Sequence, residues 1–126
     1  MKLLIDKIIH KFKYAFIGLW DGCTKDHSIQ IQWIIAMMVI IVSFFFPLTK
    51  LEWMMVLLCC FLVIALEYLN SAIEAIVDLA SPQYHPLAKK CKDYAAAGVL
   101  VISIVAAMIG CMIYLPYLID MMKGVL

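Results

Sequence analysis

The chain has 126 residues, of which 67% are hydrophobic and 15% charged, and its mean hydropathy is +1.03. Soluble domains run at roughly 45–50% apolar and about 25% charged residues, and a domain this small has too little interior to hide the excess. The composition therefore excludes a soluble globular domain and a disordered chain. A net charge of +1, carried by ten Lys and no Arg, excludes a basic nucleic-acid binder, and what remains is an integral membrane protein.

The first predicted element covers residues 1–25. Ile5, Ile8, Ile9, Phe12, Phe16, Leu19 and Trp20 recur at helical spacing on one face, with Asp6, Lys7, His10, Lys11, Lys13 and Asp21 opposite. That pattern predicts an amphipathic helix lying in the membrane interface. Charges throughout this stretch argue against a cleavable signal peptide.

Residues 28–48 form the first predicted span, inside a charge-free stretch from His27 to Thr49. A turn at Pro47–Lys50 follows. The second span is predicted over 51–80. Its charge-free part, Trp53 to Leu66, is only 14 residues long, but no Pro or Gly interrupts Leu51 to Ala80. One helix over that range would be about 45 Å long at 1.5 Å per residue. It overshoots a hydrocarbon core of about 30 Å, so its C-terminal end should project into the interface. Ser81, Pro82 and Pro86 mark the next connection, and a third span is predicted over 94–119.

Eight Lys lie before the first span or between the second and third, against Lys50 and Lys123 on the other side. The positive-inside rule then places the N-terminus and the second loop in the cytoplasm. The predicted fold is one all-α membrane domain over 1–126, with three spans and a surface helix. Cys23, Cys59, Cys60, Cys91 and Cys111 form no CxxC pair and read as packing residues. Gly98 and the run Ala95–Ala97 suit close helix packing, and Ala97 could also border a lipid pocket.

Glu67, Asn70, Glu74 and Asp78 follow one another at spacings of 3, 4 and 4. Near 100° per residue, they share one stripe of the second span. Carboxylates are costly on a spanning helix, and three in one stripe repel unless a cation sits among them. Hard oxygen ligands suit Mg²⁺, and Asp26 adds an acid on the same side of the membrane. Lys89, Lys90 and Lys92 supply charge for phosphate. Carboxylate, Mg²⁺ site and Lys are the parts that phosphoryl transfer requires. Glu67 lies deepest, where a lipid hydroxyl would sit, and Glu74 and Asp78 lie further toward water, where a nucleotide would reach them. By spacing alone the stripe also fits an ion or proton pathway, or packing between helices. No Walker A loop or protein-kinase signature is present.

The run Glu67-Tyr-Leu-Asn70-Ser-Ala-Ile-Glu74-Ala-Ile-Val-Asp78 resembles the ExxNxAxExxVD signature of the small bacterial diacylglycerol kinase / undecaprenol kinase family. His85-Pro-Leu-Ala-Lys-Lys-Cys-Lys92-Asp93-Tyr-Ala-Ala-Ala-Gly98 is similar to its second signature. The resemblance covers nearly the whole chain and implies an ATP-dependent lipid kinase that works as a homotrimer in the bacterial inner membrane. It implies Glu67 as general base toward the lipid hydroxyl, with Asn70 orienting that hydroxyl. It implies Glu74 and Asp26 as Mg²⁺ ligands that hold ATP. Lys92 and Asp93 would contact the nucleotide, as would Gln83, Tyr84 and His85. Lys7 and Tyr14 of the surface helix match an Arg/Lys and a Tyr linked to ATP.

The family usually carries Glu where this chain has Asp26, and Ser28 stands where Asn is common. An inactive family member is therefore one competing reading, and a non-catalytic membrane carrier is another. The stretches GLWDGCTKDHSIQIQ, HPLAKKCKD and IGCMIYLPYL look more like the Gram-positive undecaprenol kinases than the diacylglycerol kinases. Undecaprenol is thus the expected substrate, and 1,2-diacylglycerol the alternative.

Overall fold

The computed structural model describes residues 2–124, with side chains from residue 6 onward, so the side chains of Lys2 and Ile5 lie outside the description. Four helices follow in order: α1 (Lys2–Lys25), α2 (His27–Ser43), α3 (Lys50–Ala80) and α4 (Pro86–Met122). No strand occurs among the described residues. α3 and α4 are each long and apolar enough to cross a membrane, and α1 with α2 passes the same test as a pair bent by 91°. The protein is a membrane protein with two or three candidate spans.

Every residue of α1 from Asp6 to Asp21 is exposed, including Ile8, Ile9, Phe12, Phe16 and Trp20. The apolar face thus packs on nothing among the described residues, and a contiguous apolar patch of this kind calls for lipid or protein to cover it. The bend into α2 takes a single residue, Asp26. Its carboxylate Oδ1 accepts from the amides of Ser28 and Ile29 at 3.0 and 3.1 Å. These are two of the four amides that every helix start leaves without partners.

α2 ends at Ser43, five residues before the predicted end of the first span. The cause is Pro47: the residue before a proline is pushed away from helical backbone, so Phe44 to Phe46 close the helix as turns. The Ser43 hydroxyl donates back to Val39 O at 2.7 Å and also pairs with the Tyr114 hydroxyl of α4.

α3 runs unbroken over 31 residues. Thr49 caps it and Glu52 reaches back to the Thr49 amide at 2.7 Å, a reciprocal capping box. Tyr117 of α4 donates to the same Glu52 carboxylate at 2.9 Å, which ties the start of α3 to the end of α4.

α4 begins at Pro86, eight residues earlier than the predicted span. Proline suits the first helical position because its missing N–H would lack a partner there in any case. His85 Nδ1 accepts from the Leu87 amide at 3.2 Å as the cap. The core is thin, as expected where lipid covers most of the surface. Ile29 and Ala36 of α2, Val56, Val63 and Ile64 of α3, and Val99 and Ile113 of α4 are buried.

Candidate active site

α3 carries its polar stripe out of the apolar core. Glu67 is 6% exposed and Asn70 8%, the two most polar groups in the buried set apart from Ser43. Asn70 Nδ2 donates to Glu74 Oε1 at 3.0 Å, the i, i+4 contact that a helix makes possible. Asn70 Oδ1 is buried with no partner among the described residues. A buried acceptor left unpaired costs about 1–3 kcal/mol, so this oxygen is a place where a donor belongs.

The charges that bear on Glu67 are the carboxylates of Asp26 and Glu74. Asp26, from the α1–α2 bend, therefore lies close enough to the α3 stripe for its charge to bear on Glu67. Burial disfavours the charge on Asp26. The Ser71 hydroxyl and the amides of Ile29 and Ser28 outweigh it and hold the carboxyl below the ordinary aspartate range. Asp26 is therefore an anion at neutral pH. Asp suits this position: it is among the best helix caps, since its short carboxylate reaches the amides two and three residues on.

Lys92 approaches from α4. Its Nζ stands 2.5 Å from an Asp78 carboxylate oxygen, so α4 brings a cation to the outer end of the stripe. Asp93 pairs with Lys89 at 2.5 Å. The predicted set is thus divided. Asp26, Glu67, Asn70 and Glu74 gather at the α1–α2–α3 junction, with Lys92 further out. Lys7 and Tyr14 are exposed on α1, with no hydrogen bond or ion pair to that cluster among the described residues. Along α1 they lie about 28 and 18 Å from Asp26, at 1.5 Å per residue. Gln83 and Tyr84 are exposed in the α3–α4 connection, the His85 ring caps α4, and Ala97 is exposed on α4.

Mg²⁺ keeps several waters and is usually held by one or two carboxylates plus substrate phosphates. Asp26 and Glu74 fit that donor set. A fully protein-built site is another matter, since no group of three or more His, Cys, Asp or Glu side chains able to hold a metal occurs among the described residues.

Sequence reasoning missed three members of the junction. A recess of about 430 Å³ is bordered by Gly18, Gly22, Asp26, Tyr68 and Ser71. Tyr68 donates to the Leu19 carbonyl at 2.7 Å, Gly22 lies under its ring, and Ser71 faces Asp26. The available signal was Gly22, whose missing side chain leaves room for an aromatic ring from a neighbouring helix. A second cavity of about 660 Å³ lies between α2, α3 and α4 and is almost wholly apolar. It starts at Val63, one turn from Glu67, and reaches Tyr114 and Leu118.

Comparison with known proteins agrees with the motifs. The profile of the prokaryotic diacylglycerol kinase family matches residues 13–114. The chain is 36% identical to an undecaprenol kinase of Bacillus subtilis over 90% of its own length and 93% of that protein. It is 41% identical to a diacylglycerol kinase of Helicobacter pylori over 70% of this chain and 69% of that one, and 27% identical to a diacylglycerol kinase of Escherichia coli over 85% and 88%. Buried acid, capped acid and facing Lys, on helices that match this profile over most of their length, make the chain a member of the prokaryotic diacylglycerol kinase family and a lipid kinase.

Proposed function

We propose that the protein transfers the γ-phosphate of ATP to the primary hydroxyl of undecaprenol, giving undecaprenyl phosphate. The observation that carries this reading is Glu67, a carboxylate almost out of water at the lipid end of a polar stripe whose other end is wet. Glu67 accepts the proton of the lipid hydroxyl. Asn70, three residues on along the same stripe, borders the place of that hydroxyl and helps to orient it. Asp26 and Glu74 hold Mg²⁺ with ATP; when bound, the ion neutralises charge on the phosphates. Lys92 exchanges Asp78 for phosphate, and Asp93, Gln83, Tyr84, His85, Lys7 and Tyr14 contact the nucleotide.

The similarity to the Bacillus enzyme across nearly all of both chains supports undecaprenol, and the apolar cavity below Glu67 offers room for part of a long hydrocarbon chain. The Lys distribution supports three spans in the bacterial inner membrane, with the N-terminus and the site on the cytoplasmic face. The exposed apolar faces of α1, α3 and α4 support a homotrimer in which neighbours bring α1 residues such as Lys7 to the site.

Purified protein in lipid micelles, given labelled ATP with undecaprenol and diacylglycerol in parallel, tests this. Mg²⁺-dependent label on undecaprenol is expected. Label on diacylglycerol alone overturns the substrate, and label on neither overturns the kinase reading.

A further inference from the structure

Tyr68 joins α1 to α3. Its ring occupies the space that a Cβ on Gly22 would need. Its hydroxyl donates to Leu19 O at 2.7 Å and lies 3.3 Å from Cys23 Sγ. Leu19, Gly22 and Cys23 form one face of the last two turns of α1, and Asp26 comes next on that face. The Asp26 amide still bonds to Gly22 O at 3.2 Å. The place of Asp26 is therefore fixed through Gly22, and that of Gly22 through Tyr68. On α3, Tyr68 directly follows Glu67 and lies two residues before Asn70.

Few other ties hold α1, since it is exposed over most of its length. A chain turned by 91° at one residue needs something to specify that angle. An aliphatic side chain at position 68 would fill space. A phenol adds two directed contacts to a helix backbone and a thiol, and such contacts select one orientation.

We infer that Tyr68 is a positioning residue for phosphoryl transfer: it sets the α1–α2 bend and so holds Asp26 at the distance from Glu67 and Glu74 at which both helices serve one metal–nucleotide complex. This rests on the function proposed above. Gly22 is its counterpart, the residue whose missing side chain lets the ring come close.

The test compares the full-length parent with Tyr68→Phe, Gly22→Ala and the double variant Gly22→Ala/Tyr68→Ala in lipid micelles. The first readout is Mn²⁺ binding, followed by electron paramagnetic resonance of free Mn²⁺ with a non-hydrolysable ATP analogue present. The second is kinase rate against Mg²⁺ concentration. Tyr68→Phe is expected to weaken Mn²⁺ binding about fivefold, the scale of one or two neutral hydrogen bonds. The Mg²⁺ needed for half-maximal rate should rise by the same factor, with KM for lipid unchanged and Tm lowered only by the small cost of the hydrogen bonds removed. Gly22→Ala should cost more, and removal of the ring in the double variant should recover part of that loss, the non-additivity of touching residues.

Parental Mn²⁺ affinity in Tyr68→Phe overturns the inference. So does a loss that lipid KM and Tm share equally, which would mark a merely structural role. A parent that binds Mn²⁺ with nucleotide but phosphorylates neither lipid refutes the proposed function alone, and the Mn²⁺ arm then decides on Tyr68. A parent that binds no Mn²⁺ overturns both.

Discussion

Lys92 on α4 and Asp78 on α3 form an ion pair at 2.5 Å that closes the water-facing end of the carboxylate stripe. The pair keeps a cation beside Asp78 and makes it available to a phosphate. Both partners are partly exposed, and pairs of that kind contribute about 0–1 kcal/mol. Exchange of Asp78 for phosphate is therefore cheap. Asp78→Asn is expected to change KM for ATP by less than about fivefold, the ratio that corresponds to 1 kcal/mol. Lys92→Met removes the charge itself and should lower kcat/KM by about 10² or more, the scale of one lost transition-state donor. Steady-state kinetics on the two variants separates the cases.

Glu67→Gln keeps size and removes the base. Turnover should fall by about 10² to 10⁴, the usual contribution of a positioned acid or base. Nucleotide binding should persist, because Asp26 and Glu74 are untouched. Equilibrium binding of an ATP analogue beside the rate measurement checks both halves. A membrane carrier would show no ATP dependence to lose.

Asp26 has two duties, a cap and a charge, and two substitutions divide them. Asp26→Asn keeps the cap, since Asn is as good a capping residue as Asp, and should lower Tm only by the stability that the charge adds, while abolishing Mg²⁺-dependent turnover. Asp26→Glu keeps the charge but reaches past the Ser28 and Ile29 amides. It should lose up to about 0.5–2 kcal/mol of stability, the range for a lost cap, and retain measurable activity. A rise in activity above the parent would favour the reading in which Asp in place of Glu has disabled the enzyme.

The same carboxylate gives a pH signature. Its folded-state pKa is held below the unfolded value. The stability it confers is therefore fully present above the ordinary aspartate pKa of about 3.9 and is lost as pH falls through the lower folded value. Acid unfolding in detergent should be shallower below that range in Asp26→Asn than in the parent.

At the opposite end of the bundle, Tyr117 donates to Glu52 at 2.9 Å. Tyr117→Phe should cost about 1 kcal/mol, the typical worth of one intramolecular hydrogen bond, and leave kcat unchanged. Thermal unfolding together with the lipid assay tests this, and a large loss of turnover would contradict the placement of the site.

The helices and the Glu67–Asp78 stripe were legible in the sequence because each rests on local rules: apolar length, proline as a breaker, and 3–4 spacing. The predicted first span runs past the end of α2 because Phe44 to Phe46 are as apolar as the helix before them, and only the backbone restriction imposed by Pro47 stops it. α4 starts ahead of the predicted third span because Pro86, a breaker inside a helix, suits a first turn. Asp26 was found as a charge but not as a cap. Tyr68 escaped notice because its partners, Leu19, Gly22 and Cys23, lie more than forty residues away in sequence. Contacts between helices of that separation leave no periodic trace.

The junction between α1 and α2 is one residue long, and a joint that short has no slack. α1 is a lever of about 36 Å for 24 residues at 1.5 Å each, and its fulcrum carries a carboxylate of the site. Whatever covers the exposed face of α1 therefore acts on Asp26 through a stiff arm, with no flexible linker to absorb a change of tilt.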